Sequence, residues 1–366
     1  MKKSLLLVGA FLTVAAMAQA KEIVPAPVVV EEAPVQIVEK EVIVYRDREP
    51  QGFRPNGYVD LQYRYYGEAE ELNYKNDGVK NNYGRTQLKG RINMTENQAL
   101  EYRIRSYNDW NSSSNEKNRG SNGTESRLRY FYDHGNLGDS KVDLTSRIEY
   151  KKEADTDAQS LEYQARFNFA DYMFNNDFVK TTDFTIAPKY KYYWASNSDD
   201  YDNRLGVDLY TMHEFPLGFS FEFNLYGDQH FYGRRQYTNE RDTVKNNTSL
   251  TMEAYLYNTT NLYSNNSVDV DFYFEGGYDP YNWNSDKVLR TALHDGADKP
   301  NEFAYNDNTY ELYAYPQIIT TYKATPNFNV YASLGAEYRN WANINESSAS
   351  DWRWQPTAVV GFKTTF

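Results

Sequence analysis

A period-two alternation of apolar and polar residues begins at Val59 and returns all the way to Phe366. In Val59-Asp60-Leu61-Gln62-Tyr63-Arg64-Tyr65 the alternation is strict, which places one set of side chains on each face of a β-strand. Leu88, Gly90, Ile92 and Met94 interleave with Arg85, Gln87, Lys89, Arg91 and Asn93, and Leu100, Tyr102 and Ile104 with Glu101, Arg103 and Arg105. Further runs cover about 125–134, 141–151, 160–169, 182–194, 203–215, 219–231, 248–257, 267–278, 308–320, 328–341 and 352–366. The reading is about fourteen strands of roughly ten residues, the length and even number of an outer-membrane β-barrel. Connections after even-numbered strands are mostly short, as at Thr95-Glu96-Asn97, 135–140, Pro216-Leu217-Gly218 and 321–327. Those after odd-numbered strands are mostly long and polar, at about 67–82, 107–123, 232–246 and 279–307. Short periplasmic turns and long external loops are the asymmetry such barrels show. A soluble sandwich has no reason to lengthen every second connection.

Composition decides what the alternating faces meet. The mean hydropathy is -0.82, and no apolar stretch reaches the roughly 18 residues of a spanning helix. Yet 35 Tyr, 19 Phe and 6 Trp are far too many aromatics for a disordered chain. Trp194, Phe219, Phe221, Phe223, Tyr310, Tyr338, Trp341, Trp352 and Trp354 share the apolar phase, often near strand ends, as an interfacial girdle requires. The opposite phase carries too many charges to form a dry core, and no helix is available to cover it. Pro188 and Pro316 fall inside predicted strands, each deleting a ladder hydrogen bond, and call for bulges or different strand boundaries there; His213 falls on the nominal lipid face near a strand end. A net charge of -12 speaks against general nucleic-acid binding. The absence of cysteine removes disulfides, thiolate metal sites and cysteine nucleophiles.

The ends of the chain fit export to the same place. Lys2 and Lys3, an apolar run from Leu5 to Met17, and Ala18-Gln19-Ala20 form a signal-peptide pattern over 1–20, cleaved after Ala20. Residues 21–53, with Pro25, Pro27 and Pro34 among valines and glutamates, read as a periplasmic linker. Val35, Val38, Val42 and Tyr45 leave a short coiled coil as its alternative. The barrel is expected over 54–366. Trp352, Trp354, Ala358, Val360, Phe362 and the terminal Phe366 share one phase, like the C-terminal signature by which outer-membrane barrels are recognised for insertion.

A narrower resemblance rests on Val42-Ile43-Val44-Tyr45-Arg46-Asp47-Arg48-Glu49 and on the segment from Arg54 to Glu68. These resemble the entry into the barrel of the fusobacterial major outer-membrane porin family (FomA). The likeness continues as a general strand-and-loop layout through Phe366. The resemblance implies a trimeric, non-specific diffusion porin in outer-membrane lipid, with a second role as a surface adhesin.

Catalytic patterns are thin, and the expectation is a non-enzyme with no cofactor. His134, His213, His230 and His294 lack zinc-pair spacing, and Gly-x-Ser-x-Gly is absent. Asp199-Asp200-x-Asp202 lacks the Gly and Glu a calcium loop needs, so no metal is expected. Three functions compete: a channel for ions and small hydrophilic solutes, an adhesin using the external loops, and a barrel enzyme. The polar inner phase favours the channel. Its basic wall is expected at Arg85, Lys89, Arg91, Arg103, Arg105, Arg127 and Arg129, and its acidic wall at Asp208, Glu214, Glu222, Asp228, Glu253, Asp269, Asp271 and Glu275. Lying six or seven strands apart, the two groups would face each other across the lumen, with Lys89, Arg103 and Arg129 opposing Asp208, Glu253 and Asp271 at mid-height. The alternative is that the basic residues pair locally with Glu101, Glu125 and Asp133. The longest loop, with Val288, Leu289, Ala292 and Leu293, either folds inward to narrow the pore or stays outside.

Overall fold

A computed structural model describes residues 52–70, 82–110, 122–154, 158–195, 201–238, 243–286, 308–340 and 352–366. The segment expected to be a signal peptide, almost all of the expected linker, Trp341 and the apolar set of the longest loop lie outside the described residues, as does most of the sequence assigned to the longest external loops.

Fourteen strands close into one antiparallel barrel. They are β1 Asn56–Tyr66, β2 Tyr83–Asn93, β3 Gln98–Asp109, β4 Gly123–Asn136, β5 Asp143–Lys152, β6 Gln159–Asn168 and β7 Lys180–Trp194, followed by β8 Tyr201–Glu214, β9 Phe219–Tyr237, β10 Thr243–Ser264, β11 Val268–Asn284, β12 Asn308–Thr325, β13 Phe328–Asn340 and β14 Trp352–Thr365. Every strand pairs with its sequence neighbours, and β1 pairs with β14 from Tyr58↔Thr365 to Tyr66↔Thr357. Gly57 and Phe366 exchange backbone hydrogen bonds of 3.0 and 3.1 Å at the end of that seam. Closure removes the edge that a sheet in hydrocarbon could not leave unpaired. The end holding this seam and the connections after even-numbered strands is called the turn end; the opposite end is the loop end.

Burial separates the two phases. Gln164, Asp208 and Gln355 are at most 2% exposed, whereas Leu161, Leu205, Val207, Leu334 and Val360 are 49–55% exposed. Polar residues therefore point inward and apolar ones outward, the reverse of a soluble protein and the arrangement of a barrel in lipid. Trp194, Phe219, Phe221, Phe223, Tyr310, Tyr338, Trp352 and Trp354 all lie on the outward phase.

Three expectations change. Pro188 and Pro316 cause no bulge. The β6–β7 ladder skips from Gln164↔Lys189 to Phe167↔Ile186 and the β12–β13 ladder from Ala314↔Tyr338 to Gln317↔Gly335, each resuming in the same register. The missing N–H interrupts pairing on one side only, while Pro188↔Val207 and Pro316↔Phe274 continue on the other. Second, most of 232–246 is not a loop. β9 and β10 run on as a ribbon beyond β8 and β11, pairing Gln236↔Val244 and Tyr237↔Thr243. Gly233, Arg234, Arg235 and Gln236 break the apolar alternation there, and the β9–β10 register shifts between Asn246↔Phe231 and Val244↔Gln236 before pairing resumes. Third, β10 continues to Ser264, beyond the predicted end at 257, and reaches 22 residues against 10 for β5 and β6.

Tyrosines contribute to register. Tyr102 lies across its register partner Gly90, where a Cβ would stand 2.5 Å from the hydroxyl. Tyr331 covers Gly361 on the inner face, where a Cβ would stand 2.6 Å from the ring. Covering a strand glycine with a cross-strand aromatic restores the contact area that the glycine lacks.

Candidate functional site

The inner wall is the site, and its chemistry depends on which neighbour the register gives each charge. All seven basic residues read from the sequence occupy the inner phase of β2, β3 and β4. Most are locally partnered. Arg91 meets Glu101 at 2.7 Å, Arg103 meets Glu125 at 2.6 Å, and Arg105 lies 3.6 Å from the same Glu125 while donating to Gln87 at 2.7 Å. Arg129 is bound to Glu149, and Lys89 stands 3.5 Å from Asp60. Asp133 instead accepts from the Gly135 amide at 2.7 Å. Arg85 lies over the Tyr66 ring at 5.7 Å, and Arg127 has no ion pair among the described residues.

The eight acidic residues also occupy the inner phase, on β8 to β11. They divide into two kinds. Asp208 and Asp228 share Lys189, at 2.7 and 2.9 Å, and Asp269 takes Lys323 at 2.8 Å. Glu222, Glu253 and Glu275 have no cationic partner among the described residues and are held by phenols. Tyr257 donates to Glu222 at 2.7 Å, Tyr226 to Glu253 at 2.8 Å, and Tyr273 to Glu275 at 2.8 Å, with Tyr313 also donating to Glu275. A neutral donor fixes a carboxylate in place and leaves its charge uncancelled. Asp271 accepts from Asn261 at 2.7 Å, and Glu214 is exposed at the turn end.

Sequence reading missed the sector between these groups. On β5 to β8, Arg147 meets Glu162 at 2.5 Å and Lys191 approaches Glu162 to 3.5 Å, beside the Lys189 cluster. These residues were in the recognised alternating runs. Their mixed signs hid them, because only the register shows who pairs with whom. Asp202 receives Arg204 at 2.6 Å and His230 Nδ1 at 2.8 Å, while His230 Nε2 lies 2.7 Å from the Ser249 hydroxyl. This has the hydrogen-bond order of a hydrolytic triad, but Asp228 stands in register with Ser249, where an oxyanion would form. The geometry suits a paired wall rather than acyl transfer. Among the described residues no cluster of three or more His, Asp or Glu side chains could hold a metal.

At the turn end a recess of about 390 Å³ is lined by Phe53, Arg91, Asp133, Asp143, Arg166 and Asp183. It lies on the inner face of β2 to β7 and carries both signs of charge.

No family profile and no curated protein matches the sequence. Among solved structures, the outer membrane channel DcaP of Acinetobacter baumannii aligns at 11% identity and TM-score 0.39, covering 86% of this chain and 96% of that one. The NanC porin aligns at 9% identity and TM-score 0.35, covering 84% and 100%. OprB of Pseudomonas putida aligns at 8% and 0.35, covering 86% and 94%. The strand ladder itself, rather than these distant likenesses, establishes the closed barrel.

Proposed function

We propose that the chain forms a water-filled channel across an outer membrane, for passive diffusion of ions and small hydrophilic solutes, and that it is not an enzyme. One observation carries this reading: a closed fourteen-strand wall with charged side chains on its inner phase and exposed apolar ones on its outer phase. Lipid suits the second face and water the first. Fourteen strands place the bore between small filled barrels and the 16–18-stranded porins.

The opposed-charge arrangement belongs to this proposal in a revised form. β3 and β10 are half a circuit apart in a fourteen-strand ring, so the two groups face each other. Local pairing leaves Arg85 and Arg127 as the effective basic members and Glu222, Glu253 and Glu275 as the effective acidic ones. A homotrimer, expected from the family resemblance, completes the reading and is checked by mass measurement of the detergent-solubilised protein. Single-channel recording of purified protein in planar bilayers tests the function: stepwise ohmic conductance is expected, and persistent absence of conductance would refute it.

A further inference from the structure

One inner row of the barrel reads, in register from β12 to β5, Lys323, Asn329, Lys363, Asp60, Lys89, Arg103, Arg127, Lys151. Six of its eight positions are cationic. The row begins beside Thr325, the turn-end limit of β12, and finishes beside Lys152, the loop-end limit of β5. Because strands in a closed barrel are tilted and staggered, stepping across them in register climbs the wall. The row is a ramp between the two mouths.

Its charge is only partly cancelled: Lys323 has Asp269 at 2.8 Å, Arg103 has Glu125 at 2.6 Å and Lys151 has Glu153 at 3.7 Å. Asp60, the one acid in the row, already accepts from Tyr331 at 2.6 Å and faces Lys89 at 3.5 Å. Arg127 and Lys363 have no ion pair among the described residues, and Lys363 lies over the Tyr58 ring at 4.8 Å. The adjoining row toward the turn end, through Arg91, Glu101, Arg129 and Glu149, cancels itself pair by pair. Toward the loop end the adjoining row carries Asp269, the partner of Lys323, and then Gln62, Gln87 and Arg105 before Glu125. On β2 to β5 the cations follow one another at about 4.8 Å, the spacing of neighbouring strands, with the amides of Gln62 and Gln87 on the row beside them.

We propose that this ramp is a track for a linear acidic oligosaccharide, with one carboxylate per sugar on the cations and ring hydroxyls on Gln62, Gln87 and Asn329. The proposal rests on the channel reading and names a substrate class for it. Bare polyphosphate would use the cations but leave the amides without work.

The test is single-channel recording with trigalacturonate, maltotriose and tripolyphosphate as probes, on the wild type, the double variant Lys363→Gln/Arg127→Gln and the control Lys245→Gln, a lysine on the β9–β10 ribbon away from the ramp. Trigalacturonate should interrupt the current at concentrations where maltotriose does not. The double variant should weaken that block about tenfold, from the loss of two charge contacts, and Lys245→Gln should leave it unchanged. Open-channel conductance before probe addition reports that each barrel is assembled; its absence in the wild type refutes the channel, not the track. A conducting wild type on which trigalacturonate acts no more strongly than maltotriose overturns the track. So does a double variant blocked as strongly as the wild type. Equal block by tripolyphosphate overturns the saccharide assignment.

Discussion

The sectors β5–β8 and β9–β11 have the same inward phase, but three glutamates of the second are held differently from the ion-paired carboxylates of the first. Asp228 and Asp269 of the second sector keep lysine partners. On β5–β8 carboxylates meet cations: Glu162 with Arg147 and Lys191, Asp208 with Lys189, Asp202 with Arg204. On β9–β11 Glu222, Glu253 and Glu275 meet tyrosine hydroxyls. The first arrangement uses charge to fix the wall and presents little net charge to the lumen. The second fixes the side chains and leaves three negative charges facing water. A lumenal charge is therefore structural or functional according to its cross-strand neighbour, not its residue type.

The largest expected effect tests the structural sector. Lys189 and Asp208 have side chains 5% and 2% exposed, so Lys189→Met leaves two carboxylates without their cation. Breaking a buried pair from one side costs about 3–5 kcal/mol. Denaturant unfolding of the folded protein in detergent should show a loss of that order, and a loss below about 1 kcal/mol would end the distinction between the sectors.

Next comes the functional sector. Replacing Glu222, Glu253 and Glu275 with Gln should shift the reversal potential in a salt gradient toward anions, with little loss of stability. Each charge contributes about 0.4 kcal/mol at 10 Å in water, so three change the cation-to-anion permeability ratio roughly two- to eightfold after screening. Arg85→Gln with Arg127→Gln should move it the other way. The same potentials from both variants as from wild type would remove the opposed walls.

Single phenols come third. Tyr257→Phe should cost about 1 kcal/mol of stability, the net worth of one hydrogen bond, while the Glu222 charge remains. A selectivity change as large as that of the triple variant would mean that the phenol, not the carboxylate, sets the field. The smallest effect is ionic. Raising salt from 0.1 to 1 M shortens the screening length from about 10 to 3 Å, which should flatten wild-type selectivity while leaving the Lys189→Met deficit in place.

What could be read from the sequence follows the same line. Strand count, phase and closure were legible because inside and outside impose parity on every residue, and parity survives without knowing neighbours. All fifteen wall residues therefore fell on the inner phase. Partners were not legible, since Lys189 finds Asp208 and Asp228 only through the register of β7, β8 and β9. Pro188 and Pro316 misled because a missing donor was read as a bulge, when one-sided pairing absorbs it. The ribbon of β9 and β10 was missed because its backbone pairs after its side chains stop alternating.

The tyrosine-covered glycines have a consequence for assembly fidelity. Alternation works as a parity check: a strand slipped by one residue turns its polar face to lipid and is rejected. A slip of two passes that check unnoticed. At Tyr331 it would bring Val359 or Lys363 beneath the ring in place of Gly361, where a Cβ already stands too close. Tyr102 on Gly90 poses the same test between β2 and β3. Odd errors are thus caught by the solvent and even ones by glycines, so a wall without a packed core still counts its residues correctly.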